Sequence, residues 1–190
     1  MDRIDSQGYR ANVGMILMDT EGHVLIGGRA GRRGWQFPQG GIRHHESAEE
    51  AMYRELREEV GLEAEDVETL GCTRDWLRYR LPERFQRRQQ PVCIGQKQRW
   101  YLLKMLCEPE CVRCDTTLEP EFDRFRWVRY WVPVSKVIYF KRQVYASALT
   151  ELGKLASPPP PPPPRWWPRH WRPFAADQGS PGIPMDPNGQ

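Results

Sequence analysis

What these 190 residues lack narrows the field before any motif is read. No apolar run approaches the roughly 20 consecutive residues that a membrane-spanning helix requires. Met1 to Ala11 carry Asp2, Arg3, Asp5 and Arg10, where a secretory signal would hold an unbroken apolar core. The five cysteines are odd in number and follow no extracellular disulfide framework. A cytoplasmic protein with reduced thiols is the expectation. Cys107, Cys111 and Cys114 have the spacing C-x3-C-x2-C. They lack the fourth ligand of a structural zinc site, a second CxxC or a histidine pair, so a hairpin with incidental thiols is the better account. A net charge of only +3 excludes a bulk polycation and still permits a local basic face. No internal repeat is present.

What is there reads as one α/β domain over residues 8–156, followed by a tail. Val13 to Met18 suits a buried strand, Gly22 a turn and His23 to Ile26 a return strand. Gly27, Gly28, Gly31 and Gly34 are expected to break regular structure. Further strands are predicted at Thr69 to Arg74, Arg99 to Leu106 and Phe125 to Tyr130, and a helix at Lys141 to Ala156. That alternation points to an α/β/α sandwich around a mixed β-sheet. Residues 157–190 hold twelve of the eighteen prolines, seven of them consecutive at Pro158 to Pro164. As a polyproline II rod this run would span about 22 Å. With so few aliphatic residues the tail is expected to be disordered. Its proline rod is a candidate for docking a protein partner, and Arg165 to Arg172, with three tryptophans, a candidate for gripping RNA or an anionic surface.

The clearest helix is Ser47 to Val60. Ser47 and Glu50 form a capping box, Met52, Leu56 and Val60 share one face, and Gly61 can take the left-handed cap. Glu55, Glu58 and Glu59 stand at i, i+3 and i+4, so three carboxylates crowd one side of this helix. Such repulsion makes sense if a divalent cation neutralises it, and Mg²⁺ prefers carboxylate oxygen, water and substrate phosphates. Alone, the cluster could equally be a solvated acidic face. Fixed partners argue otherwise. Gly40, Glu46, Arg54, Glu55, Leu56, Glu58, Glu59, Gly61 and Leu62 fill every constrained position of G-x5-E-x7-R-E-U-x-E-E-x-G-U, where U is aliphatic. Arg54 would orient Glu55 or pair with Glu46, and Gly40 and Gly41 would let the backbone bend before the helix.

With the box at 40–62 complete, the chain resembles the Nudix hydrolases. That resemblance implies an α/β/α fold and metal ligation by Glu55, Glu58 and Glu59. It also implies a further glutamate from a later loop, for which Glu121 is the choice. Stretches outside the box are similar to the bacterial RNA pyrophosphohydrolase subfamily: Gly8 to Gly14, Trp35 to Ile42, Trp76 to Tyr79, Pro91 to Gln98, Pro120 to Asp123 and Tyr139 to Arg142. The implied reaction removes pyrophosphate from the 5′-triphosphate (or acts on the 5′-diphosphate) end of single-stranded RNA. The implied RNA contacts are Arg10, Arg29, Ile138, Phe140 and Lys141, with guanidinium forks for phosphate and flat side chains for unstacked bases. Arg74 to Arg88, including Arg78 and Tyr79, interleaves arginines with aromatics and suits a phosphate-contacting surface. Ala30 departs from the bulky aromatic common at its place, which leaves base preference near that loop open. The competing readings are a dinucleoside polyphosphate hydrolase, such as one acting on diadenosine tetraphosphate, and a non-catalytic RNA-binding module. A monomer is expected.

Overall fold

In the computed structural model, which describes residues 3–86, 89–113 and 117–171, the strands are β1 (Tyr9–Met18), β2 (His23–Arg29), β3 (Trp35–Gln36), β4 (Gln39–Gly41), β5 (Val67–Cys72), β6 (Leu77–Arg80), β7 (Gly95–Met105) and β8 (Phe122–Arg129). The helices are α1 (Ala48–Val60), α2 (Val132–Lys136) and α3 (Arg142–Leu152). Every residue of β1 from Ala11 to Met18 is buried, as a strand covered on both faces must be. β1 runs parallel to β7 along its whole length, and the other pairings are antiparallel. The sheet is therefore mixed.

Strand alternation sends successive side chains to opposite layers. Ile16, Met18, Trp100 and Leu102 pack with Val134, Tyr145 and Leu149 from the α2–α3 side. Val13, Met15, Leu17, Leu103 and Met105 pack with Met52, Leu56 and Val60 of α1. The result is the expected helix, sheet, helix sandwich. α1 starts and stops as its sequence predicts: Ser47 accepts from the Glu50 N–H, Glu50 accepts from the Ser47 N–H, and Gly61 caps the end at φ 74°.

The two central strands share a further property. β1 divides its second edge between β4, opposite Asn12 to Gly14, and β2, which meets it at Met18. β7 divides its second edge between β6 and β5. On the α3 side both strands turn polar toward their starts. Arg10 and Asn12 lie in register with Gln96 and Gln98. A cleft opens at this polar end.

Several expectations are corrected. β2 continues through Gly27 and Gly28, which were expected to break it. The ring of Phe122 and the side chain of Arg124 fill the space that side chains at these positions would need. β5 ends two residues early, while β7 and β8 begin earlier than expected. The last helix is preceded by a single turn at Tyr139–Lys141 and followed by another at Gly153–Leu155.

Of the tail, expected to be disordered, residues 157–171 are described, and they pack on the domain. The Trp131 indole donates to the Pro161 carbonyl at 2.6 Å. Trp167 is 1% exposed, its ring set edge-on 5.1 Å from that of Trp131. Composition predicted disorder because aliphatic residues are few, but a single buried tryptophan ring anchors this stretch. Residues 172–190 lie outside the described residues, as do Cys114 of the cysteine cluster and Arg87 and Arg88 of the basic stretch.

Candidate active site

β4 is the hinge of the geometry. It passes between the acidic face of α1 and the polar end of β1, opposite Asn12, Val13 and Gly14. A Cβ at Gly40 would overlap the Glu55 carboxylate, and one at Gly41 would overlap the Arg10 guanidinium. Neither glycine has positive φ. Their role is therefore not to bend the chain, as expected, but to leave room. Through those two gaps a carboxylate of α1 and an arginine of β1 reach the same cleft.

Arg54 organises the acids. Its guanidinium donates twice to Glu46, at 2.7 and 3.0 Å, and to Glu55 and Glu58 at 2.6 and 3.0 Å. It also donates to the Gly41 carbonyl at 2.8 Å. Both roles expected of Arg54 are thus filled by one side chain. The bidentate contact holds the Glu46 carboxyl below the usual range. Glu55 is pushed the other way: desolvation raises its pKa despite Arg54. Glu59 accepts from the Gln39 N–H at 2.8 Å. Its pKa stands well above the ordinary value, through desolvation first and then the charges of Glu55 and Glu121. Glu58 is the more open of the helix carboxylates and also meets Arg43 at 3.4 Å.

Glu121 comes from just before β8 and faces α1 across the cleft. It accepts from Arg29 at 3.2 Å and Gln36 at 3.1 Å. Arg29 thereby has the Nε edge of its guanidinium held by an acid. Glu55, Glu58, Glu59 and Glu121 together line a shallow depression of about 420 Å³ with Thr117 and Glu119. Among the described residues no three acidic, histidine or cysteine side chains already cage an ion. The donor set itself is all carboxylate, it repels itself, and it fits a hard divalent cation.

A cleft of about 530 Å³ shares Glu55, Glu59 and Glu121 with this depression. Arg10, Arg29 and Lys141 line it together with Tyr79, Phe85, Ile138 and Phe140. The Phe140 ring lies tilted against those of Tyr79 and Phe85, each at 5.8 Å. Ile138 is 42% exposed and so belongs to the wall, not to the core. Lys141 is buried, donates to Gln39 at 3.1 Å and has its pKa lowered to about 8 by desolvation. Arg78 stands outside this group. On β6, alternation turns Tyr79 inward, where its hydroxyl donates to Gln96 at 2.6 Å. Arg78 turns outward, toward Gln7 and the ring of Tyr9.

The residues that sequence reasoning missed are the amides of the cleft floor. Gln98 donates to Asn12 at 2.7 Å and to Gln39 at 3.3 Å, while Gln36 and Gln39 link Glu121, Glu59 and Lys141. The available signal was the alternation of polar residues at Gln96 and Gln98 ahead of an apolar strand.

A mixed sheet with a glutamate-rich helix beside a split edge defines a class. The NUDIX domain model matches residues 8–151, and the chain belongs to that family, whose hydrolases generally use divalent metal ions. Among curated relatives, the RNA pyrophosphohydrolase of Alkalilimnicola ehrlichii is 56% identical over 156 residues, covering 82% of this chain and 86% of that protein. The RNA pyrophosphohydrolase of Pseudomonas aeruginosa is 58% identical over 150 residues, 78% and 94% of the two chains. Two solved structures share the fold at low identity. The E. coli dihydroneopterin triphosphate pyrophosphohydrolase has a TM-score of 0.58 at 19% identity, covering 71% of this chain and 91% of that one. A C. elegans Ap4A hydrolase has a TM-score of 0.58 at 15% identity, with coverages of 78% and 98%.

Proposed function

We propose that this protein removes pyrophosphate from the 5′-triphosphate end of single-stranded RNA. The product is a 5′-monophosphate that exposes the transcript to degradation. The reading includes action as a cytoplasmic monomer with Mg²⁺. One observation carries it: a single cleft is lined by Glu55, Glu59 and Glu121, by Arg10, Arg29 and Lys141, and by Tyr79, Phe85 and Phe140, the acidic, cationic and aromatic groups that a hydrolytic centre, a phosphate chain and a nucleobase require. The names of the relatives at 56% and 58% identity support the choice of RNA.

Glu55, Glu58, Glu59 and Glu121 would hold the metal. When bound, Mg²⁺ supplies neutralisation of these acids and polarisation of phosphate oxygens. Arg10 and Lys141 bind the phosphate chain, and Arg54 fixes the carboxylates in place. Ile138, exposed on the wall beside Phe140, offers apolar surface to an unstacked base. Hydrolysis adds water across an anhydride: its oxygen bonds to phosphorus, the bridging bond breaks and pyrophosphate departs. The water proton passes to a cleft carboxylate, for which Glu55, Glu59 and Glu121 are positioned. The proline segment, expected to be open to a protein partner, meets Trp131 of its own chain.

The test compares a short 5′-triphosphorylated RNA with diadenosine tetraphosphate under Mg²⁺. Faster release from the RNA is expected, and faster turnover of the dinucleotide at equal concentration overturns the proposal. Glu55→Gln and Glu58→Gln are each expected to abolish turnover with the fold intact by circular dichroism.

A further inference from the structure

The cleft accommodates a phosphate chain and the first bases, so on the RNA reading, which this inference rests on, the rest of the strand must leave it somewhere. One lip is built for that purpose. Gly28 of β2 lies opposite Trp35 of β3 on one side and Arg124 of β8 on the other. Three strands thus set Trp35, Gly28 and Arg124 in one row. A Cβ at Gly28 would come within 2.8 Å of the Arg124 side chain. Without one, Gly28 is a notch that Arg124 crosses, bringing its guanidinium carbon 5.4 Å from the centre of the Trp35 ring. Arg126, two residues along the same face of β8, places its own at 4.7 Å. Trp35 is in turn part of the cleft wall, beside Arg32 and Arg33 of the β2–β3 loop.

Arg32, Arg33, Arg124 and Arg126 are all exposed. Arg124 pairs with Asp123 at 2.6 Å, a solvent-exposed contact of the kind that contributes little. Among the described residues no carboxylate stands within ion-pair distance of Arg32, Arg33 or Arg126. The lip is therefore a half-buried indole surrounded by four arginines drawn from two separate parts of the chain. Such a surface suits the repeating charge of a phosphodiester backbone rather than any particular base.

We infer that the nucleotides following the 5′ end pass over Trp35 and lay their phosphates on Arg126 and Arg124. This strip adds affinity for the length of the RNA and takes no part in the chemistry at the acids. The opposite wall, where Arg84 lies 4.9 Å over the Phe85 ring, is the rival exit.

The test measures pyrophosphate release from a triphosphorylated dinucleotide and a triphosphorylated decamer of the same leading sequence, across a salt titration. Arg124→Ser with Arg126→Ser is expected to raise KM for the decamer about tenfold at low salt and to leave kcat unchanged. It should also flatten the dependence of log affinity on log salt by about 1.4, at roughly 0.7 per phosphate contact on a single strand. Dinucleotide turnover should not change. Arg124→Lys with Arg126→Lys keeps the charge and should restore most of the decamer affinity. Equal losses on both substrates, an unaltered salt slope, or a length-dependent loss seen only with Arg84→Ser would overturn the inference. Failure of the RNA reading itself is seen separately, as unmodified protein that hydrolyses neither RNA.

Discussion

Lys141 is a buried amine whose nearest acceptors are neutral amides, with Arg29 acting against its charge. Its pKa of about 8, against an ordinary 10.5, means that the fold favours the neutral form. The unfolded chain binds this proton more tightly, so the linked contribution to stability grows as pH rises between those two values. The effect on substrate has the opposite direction, because a neutral Lys141 no longer attracts phosphate. The expected profile of kcat/KM for triphosphorylated RNA falls above pH 8. Lys141→Arg, whose guanidinium does not titrate there, should flatten the fall. Glu59 is the complementary case. Its raised pKa means that the charged form costs stability above the ordinary carboxylate range, and that this cost disappears as pH falls through the folded value. Glu59→Gln retains an oxygen for the Gln39 N–H and removes the charge. It should raise the Tm of metal-free protein by a few degrees at neutral pH while abolishing hydrolysis, both readable on one preparation. These acids were legible in the sequence because spacing along one helix fixes their shared face. Asn12, Gln36, Gln39 and Gln96 were not, because their meeting depends on the register of strands far apart in the chain.

The segment from β4 into α1 is held by one side chain. Arg54 bridges the Gly41 carbonyl, Glu46 and two carboxylates of its own helix, and is itself largely buried. Lysine can supply the charge but not the fork. Arg54→Lys is expected to cost about 2–4 kcal/mol in urea denaturation, as buried charge-assisted contacts go unmatched. It should also lower kcat, because Glu55 loses its fixed position. α1 itself was readable to within a residue from its capping box, its apolar period and Gly61. β3, β4 and β6 were not, since strands of two to four residues carry too little alternation to register. The double glycine at Gly27 and Gly28 misled for a physical reason. Glycine weakens an isolated strand, but here the sheet brings Phe122 and Arg124 into the vacated space.

At the scale of the whole molecule, the domain does not end where the family match ends, at residue 151. The proline segment lies along Trp131, and Trp167 joins the core on the α2–α3 side. Trp167→Ala is expected to destabilise the protein by about 3–5 kcal/mol, measured as a lowered denaturation midpoint, in the range for emptying a buried aromatic site. Composition could not show this, because an average over a proline-rich stretch conceals one ring with a site to fill. The placement of that ring also sets an order of events during synthesis. A chain made from its N-terminus presents both central strands, the acidic helix and α3 before the residue that closes the face beside Trp131. A chain that ended within the proline run would hold every cleft residue on a core still missing its last side chain.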